Sequence, residues 1–276
     1  MRAQFFSICY RATRFIVTKT LYFFQAIFFI PHDLEPAVKF GDATLSAFTA
    51  VGTPLYNFKI SSGNDVDIFG LRFPSPLVAS SFKSETGILN IWLQMGLGGV
   101  ILKTIMKDER LGNSRPRLQD ASLDGEKGLL NSMGLPGQGV ESFSAELPKN
   151  GLWDFDRPLG VSIGGNSLKE YVENVRVVNQ ALWGFAKPYF YELNISCPNT
   201  ENGRTIGDDP TELESLLDQI RKIVTNPISI KVSPDFSNEQ LEQIGEICQS
   251  TDLMFINAGN TQFKMAIEVG INPRYF

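Results

Sequence analysis

Between residues 76 and 257, short apolar runs alternate with stretches whose apolar positions recur at spacings of three and four, the pattern of strands followed by helices. The strands predicted are 76–80, 99–104, 159–163, 189–195, 228–232 and 253–257. Helices are predicted over 87–95 and 167–182. A third begins at Pro210, with Asp209 as its N-cap, Glu212 in its first turn, and Leu213, Leu216, Leu217 and Ile220 on one face. Ser237 and Gln240 form a capping box for a fourth, which is expected to bury Leu241, Ile244 and Ile247. Residues 107–139 interrupt the rhythm as a long polar excursion. A regular strand–helix alternation implies α/β architecture, a parallel sheet covered by helices, either closed as a barrel or doubly wound. No GxGxxG follows the first strand, which counts against a dinucleotide fold. An eightfold barrel takes about 250 residues. Six units fill residues 76–260 here and 16 residues follow, so a (β/α)8 TIM barrel is expected to be truncated after about six units.

The first 55 residues follow another pattern and are expected to form an N-terminal helical extension, with residues 56–276 as the barrel domain. Residues 1–31 are apolar and aromatic, with Phe5, Phe15, Phe23, Phe28 and Phe29 among them, but Lys19 and Gln25 interrupt the run from 15 to 30. That run is short for a span of about 20 residues. A basic, aromatic helix of this kind suits a membrane interface. A signal peptide, a transmembrane anchor and a helix packed on the body are the rival readings, although residues 31–33 make a poor cleavage site. A second helix is expected over 34–48, and a hairpin over 56–74.

Composition narrows the chemistry. The net charge is −5, and the body lacks a basic cluster interleaved with aromatics, so nucleic acid is not an expected partner. Residues 1–32 carry Arg2, Arg11, Arg14 and Lys19 without an acid. Cys9, Cys197 and Cys248 are an odd number at no regular spacing, which argues for a reducing compartment. His32 is the only histidine, and no CxxC occurs, so zinc sites and Ser-His-Asp chemistry are excluded and no metal is expected.

What remains is the chemistry at the C-terminal ends of the strands, where parallel α/β folds bind ligands. Ser80, Ser81 and Lys83 follow the first strand. Lys103 and Thr104 end the second; Ser162, Gly164 and Asn166 lie at the third. Asn194, Cys197 and Asn199 follow the fourth, Lys231 lies in the fifth, and Asn257, Asn260 and Thr261 end the sixth. Amides, hydroxyls and two strand lysines with almost no acids suit a planar, polar, partly anionic ligand. A buried lysine needs a partner. For Lys231 it is either a buried carboxylate such as Glu192 or a cofactor that gains negative charge, such as a reduced flavin. The strand-end Cys197 reads locally as a nucleophile, a proton-transfer base or a buried structural thiol.

Three segments, Leu193 to Thr200 (LNISCPNT), Asn131 to Pro136 (NSMGLP) and Ile230 to Asp235 (IKVSPD), resemble dihydroorotate dehydrogenase, and the likeness runs in order from about residue 33 to 262. The resemblance implies an FMN-containing (β/α)8 barrel that oxidises dihydroorotate to orotate in pyrimidine synthesis. It implies Cys197 as the base at C5 while the C6 hydride passes to flavin N5, with Lys103 beside the flavin and the substrate carboxylate. Ala79, Ser80, Lys103, Thr104, Ser162, Asn194 and Lys231 would contact FMN. Lys83, Asn131, Met133, Gly134, Leu135, Asn194, Asn199, Asn260 and Thr261 would hold the pyrimidine. The extension with His32-Asp33-Leu34-Glu35-Pro36 resembles the membrane-associated, quinone-reducing class, whereas Cys197 and Lys103 match the soluble class. The acceptor therefore lies among quinone, fumarate and NAD, with a peripheral place on the cytoplasmic side of a membrane expected, or else the cytoplasm. The family's last two units, with the Gly-rich loops for the FMN phosphate, have no counterpart after Phe276, so this chain by itself is expected to bind FMN weakly or not at all. The alternatives are a related flavin barrel acting on another dihydropyrimidine and a non-catalytic binding protein or inactive fragment.

Overall fold

The computed structural model describes residues 2–47, 53–195 and 206–275. They fall into two compact units, one of residues 1–59, 112–133 and 264–276, the other of residues 60–111 and 134–263.

The second unit is built on a six-stranded, all-parallel sheet. Its strands are β1 (Val78–Ala79), β2 (Gly99–Ile105), β3 (Leu159–Ile163), β4 (Tyr189–Leu193), β5 (Ile228–Val232) and β6 (Met254–Ala258). They lie side by side in chain order. A doubly wound sheet reverses its order at a switch point; a monotonic order with outer helices is the wall of a barrel. The strand pleat sorts the side chains. Val161, Ile163, Tyr191, Leu193, Ile228 and Ile230 enter a core shared with the outer helices. The opposite, inner face carries Ile101 and Phe190, packed with Leu71 and Phe73 of an antiparallel hairpin (Val66–Ile68 with Leu71–Phe73) and with Phe255. The Phe190 ring lies 6.3 Å from Phe73 and 5.2 Å from Phe255. These aromatic rings fill the inner face toward the N-terminal ends of the strands. Gly160 sits among them by necessity: a Cβ there would lie 2.6 Å from the Phe190 ring.

The outer helices start where the sequence places them. Ser167 caps the helix Leu168–Ala181, Asp209 accepts from the backbone of Thr211 and Glu212 at the start of Pro210–Arg221, and the capping box of Ser237 and Gln240 opens Asn238–Ser250. In that last helix Ile244 and Ile247 are buried, but Leu241 is exposed. The capping box starts the helix before it reaches the core, leaving the first turn in solvent. The polar excursion also differs from expectation. It contains a hairpin of Leu118–Leu123 with Glu126–Asn131, closed by Asp124 and Gly125, both at positive φ, and a short ladder of Glu109–Arg110 with Gly137–Gln138.

In the first unit, helices α1 (Arg2–Ile27) and α2 (Glu35–Ala47) join through a buried knot. The Gln25 amide donates to the Asp33 carbonyl at 2.9 Å and accepts from the Asp33 amide at 3.1 Å. The Arg117 guanidinium grips Glu35 with two parallel bonds of 2.8 and 2.9 Å, while Arg115 reaches Asp33 at 2.6 Å. Tyr22 stacks on His32 at 4.3 Å and donates to Asp120 at 2.9 Å. No described helix is long and apolar enough to cross a membrane.

The Arg117 hydrogen bonds hold the Glu35 carboxyl down to about 2. A carboxyl depressed by folding adds stability above its ordinary value of about 4.3, and that stability is lost as pH falls toward the folded value. Denaturation followed by circular dichroism should therefore show the wild type losing, between about pH 4.5 and 2, stability that Glu35→Gln does not lose over the same window. Arg117→Ala removes both parallel bonds but leaves Lys39 at 2.9 Å and Arg115 at 3.6 Å from the Glu35 carboxylate, and should destabilise by roughly 1–3 kcal/mol at neutral pH.

Candidate functional site

The inner face of the sheet changes character toward the C-terminal ends of the strands, and a β-bulge makes the change. Between β2 and β3 the register runs from Leu102 opposite Val161 to Ile105 opposite Ile163. Lys103 and Thr104 therefore both oppose Ser162, and Thr104 turns inward. Its hydroxyl lies 2.9 Å from Ser162 Oγ and accepts from Asn194 Nδ2, also at 2.9 Å. Asn194 Oδ1 accepts from Asn260 Nδ2 at 3.4 Å, and the Asn260 amide donates to the Val232 carbonyl at 3.0 Å. One chain of side chains thus joins β2, β3, β4 and the segment after β6. Tyr171 donates to the Asn194 carbonyl at 2.7 Å, fixing the point where β4 ends. Nothing in the helical pattern of residues 167–182 marks Tyr171 for this task.

Lys231 is buried on the same face of β5, and its Nζ donates to Ser81 Oγ at 3.1 Å, just beyond β1. Glu192 is fully buried on β4; its Oε2 accepts from Asn257 Nδ2 at 2.5 Å. Ser81 and Asn257 belong to the strand ends legible in the sequence, but their bonds to Lys231 and Glu192 emerge only from the sheet order.

The other predicted residues take several positions. Ala79 packs against the core, and exposed Ser80 accepts the Phe82 amide on its carbonyl at 2.7 Å. Lys83 is buried beside the Phe82 ring, 3.8 Å from Glu85, and its carbonyl accepts from the Lys103 amide at 3.0 Å. Lys103 is half-buried. It lines a cavity of about 420 Å³ with Thr104, Leu135, Glu85, Asp108 and Glu146. Gly134 and Leu135 both have positive φ, of 70° and 51°. Thr261 is exposed and its amide donates to Asn260 Oδ1 at 2.9 Å. Asn131 and Met133 belong to the first unit, at the end of the Leu118–Asn131 hairpin, where Asn131 Oδ1 accepts the Met133 amide at 3.5 Å. Cys197 and Asn199 lie outside the described residues, shortly after Ile195. The described residues contain no cluster of His, Cys, Asp and Glu that could hold a metal.

In the first unit, α1 and α2 enclose a cavity of about 390 Å³ whose walls include Phe6, Val17, Leu34, Val38, Leu45, Tyr56 and Leu118, with Arg14 and Asp42 as its charged members.

Comparison with known proteins adds independent information. The family model for dihydroorotate dehydrogenase matches residues 64–274. A putative dihydroorotate dehydrogenase A (fumarate) of Aquifex aeolicus is 33% identical over 208 residues, 74% of this chain and 64% of the relative. A dihydroorotate dehydrogenase (quinone) of Thermus thermophilus is 28% identical over 206 residues, 71% of this chain and 56% of the relative. The chain thus spans less than two thirds of the length of these relatives. Among solved structures, ligand-free DHODH from Eimeria tenella superposes with a TM-score of 0.68 at 21% identity, covering 82% of this chain and 70% of that one. The ferulenol complex from the same organism gives 0.65 at 19% identity, covering 86% and 70%. At such identity the likeness concerns the fold.

The shared hydroxyl of Thr104 yields a test. Thr104→Val keeps the shape but removes the acceptor of the Asn194 amide and the partner of Ser162, both buried. A stability loss of roughly 1–3 kcal/mol is expected in urea denaturation, with little change from Thr104→Ser.

Proposed function

Because the chain belongs to the dihydroorotate dehydrogenase family, we propose that it serves the oxidation of dihydroorotate to orotate, in pyrimidine synthesis, with FMN as cofactor and a quinone as acceptor. The observation that carries this reading is the inner-face array of Thr104, Ser162, Asn194 and Asn260 beside buried Lys231. Its outermost layer offers neutral donors, neutral acceptors and a cation, a set that fits a planar heterocycle gaining negative charge. Ala79, Ser80, Lys103, Thr104, Ser162, Asn194 and Lys231 would hold FMN. The bound flavin supplies the acceptor for the hydride leaving C6 of the substrate.

The chain's own residues do the remaining work. The ammonium of Lys231 neutralises charge arriving on the ligand, and its bond to Ser81 keeps it aimed across the face. Lys103 would act likewise on the substrate carboxylate. Lys83, Gly134, Leu135, Asn194, Asn199, Asn260 and Thr261 would orient the pyrimidine. Cys197, three residues beyond Asn194, would take the C5 proton; a thiolate is suited to that transfer.

The acceptor reading rests on the first unit. A cavity of about 390 Å³ with predominantly apolar walls between two helices suits a quinone with an isoprenoid tail. The Thermus relative's name, which includes a quinone, agrees. Along the same unit Phe15, Ile16, Phe23, Phe28 and Phe29 stand exposed near Arg11 and Lys19. An apolar, basic helical surface of this type binds peripherally at a membrane interface. The cytoplasmic leaflet is the surface proposed.

Two measurements test these assignments. Anaerobic dihydroorotate should bleach the flavin of the FMN-loaded protein; Cys197→Ala should nearly abolish bleaching, and Cys197→Ser should slow it and move its pH optimum. Bleaching of Cys197→Ala at the wild-type rate would overturn the base assignment. For the membrane, replacing Phe28 and Phe29 by Ser should lower co-sedimentation with lipid vesicles by about tenfold or more; unchanged sedimentation would remove the anchor.

A further inference from the structure

Glu192 is the one inner-face acid of the sheet, and the reading of the site given above leaves it without a task. It is 0% exposed. The pleat puts it on the face of Phe190 and Asn194, and the ladder sets it opposite Ser162 on β3 and Ser229 on β5. It therefore lies about 6.6 Å below Asn194 along the strand, and one pleat below Lys231, which the ladder sets opposite Asn257. Asn257 reaches back across β5 to donate to Oε2. Among the described residues Oε1 has no hydrogen-bond partner, and neither does the buried hydroxyl of Ser229 beside it.

A packing role explains none of this. Burying a carboxylate costs several kcal/mol unless its oxygens are satisfied. A glutamine would fill the same volume with less to desolvate. An acid held at full burial, with one oxygen bare, is of use where its field acts on something nearby. Charges a few ångströms apart inside a protein interact far more strongly than in water. The neighbouring strand ends form the face proposed above for the cofactor.

We propose, on the premise of that flavin reading, that Glu192 is a positioning residue of the cofactor site with two effects. It anchors the Asn257 amide, and it sets negative charge beneath the position of Lys231, opposing the stabilisation that Lys231 gives to the reduced cofactor. The balance of the two charges tunes the reduction potential downward. Electron transfer to the acceptor is thereby favoured after the substrate has delivered its hydride.

The test is the midpoint potential of bound FMN, measured by dye-equilibrated titration in the wild type, Glu192→Gln and Asn257→Leu. Glu192→Gln should shift the potential to more positive values and slow reoxidation by a quinone several-fold more than it slows bleaching by dihydroorotate. Asn257→Leu, which takes from the carboxylate its one donor among the described residues and so favours the neutral acid, should shift the potential in the same direction and keeps the inference testable where the glutamine variant fails to fold. A purely structural acid would alter denaturation without these shifts. Potentials equal to wild type in the FMN-loaded variants overturn the role of Glu192 and leave the flavin reading standing. Failure of the wild type to take up FMN overturns both.

Discussion

The pleat of β4 is the constraint on which the second unit turns. Residues 189–193 send Tyr189, Tyr191 and Leu193 into the helix-covered core, and Phe190 and Glu192 to the inner face. A slip of one residue would exchange the two sets and bury the carboxylate among the Leu and Val of the helices. Apolar packing thus fixes the register, and the register fixes the chemistry: once Tyr191 and Leu193 are seated outward, Asn194 can only emerge inward, within reach of Thr104 and Asn260. The aromatic layer around Phe190 performs a second service by filling the inner face below, so the polar layer has a dry floor.

The first unit is organised by charge instead. Its helices bury little of their aromatic surface; Gln25 and Glu35 are among their buried residues, with Asp33 buried in the turn between them. Two parallel bonds from Arg117 to Glu35 hold the start of α2 to the segment before the hairpin, and Gln25 ties the end of α1 to the same turn. Directional bonds at one end of a helix pair fix an angle between the helices without filling the space between them. A cavity of about 390 Å³ is thereby compatible with a defined structure.

How much of this the sequence discloses depends on what kind of interaction decides each element. Strands 159–163 and 228–232 are legible to the residue because both faces are covered and the run is therefore continuous in character. Helix starts are legible because capping is local chemistry, as at Asp209 and Ser237. The hairpin of Leu118–Leu123 and Glu126–Asn131 went unread, for its exposed strands lack an apolar run. Its signal was the Asp124-Gly125 pair, two residues suited to the positive φ that a tight hairpin turn demands. Leu241 shows the reverse error: periodicity assigns a face, but the extent of the neighbouring core decides which turns of the helix meet it.

The site itself was legible as a list of residue types and illegible as a network. Strand ends announce Thr104, Ser162, Asn194 and Lys231, since polar groups there stand out against apolar runs. Which hydroxyl meets which amide depends on the bulge at Lys103–Thr104, and no local rule in residues 99–105 foretells it. The same holds for Lys231. A buried lysine demands a partner, and sequence order left either Glu192 or a ligand open. The structure turns Glu192 toward Asn257 and Lys231 toward Ser81. An amide orients a carboxylate without neutralising it. Two ionisable groups lie one pleat apart on one face, and a site built this way responds to any charge that a ligand gains beside them.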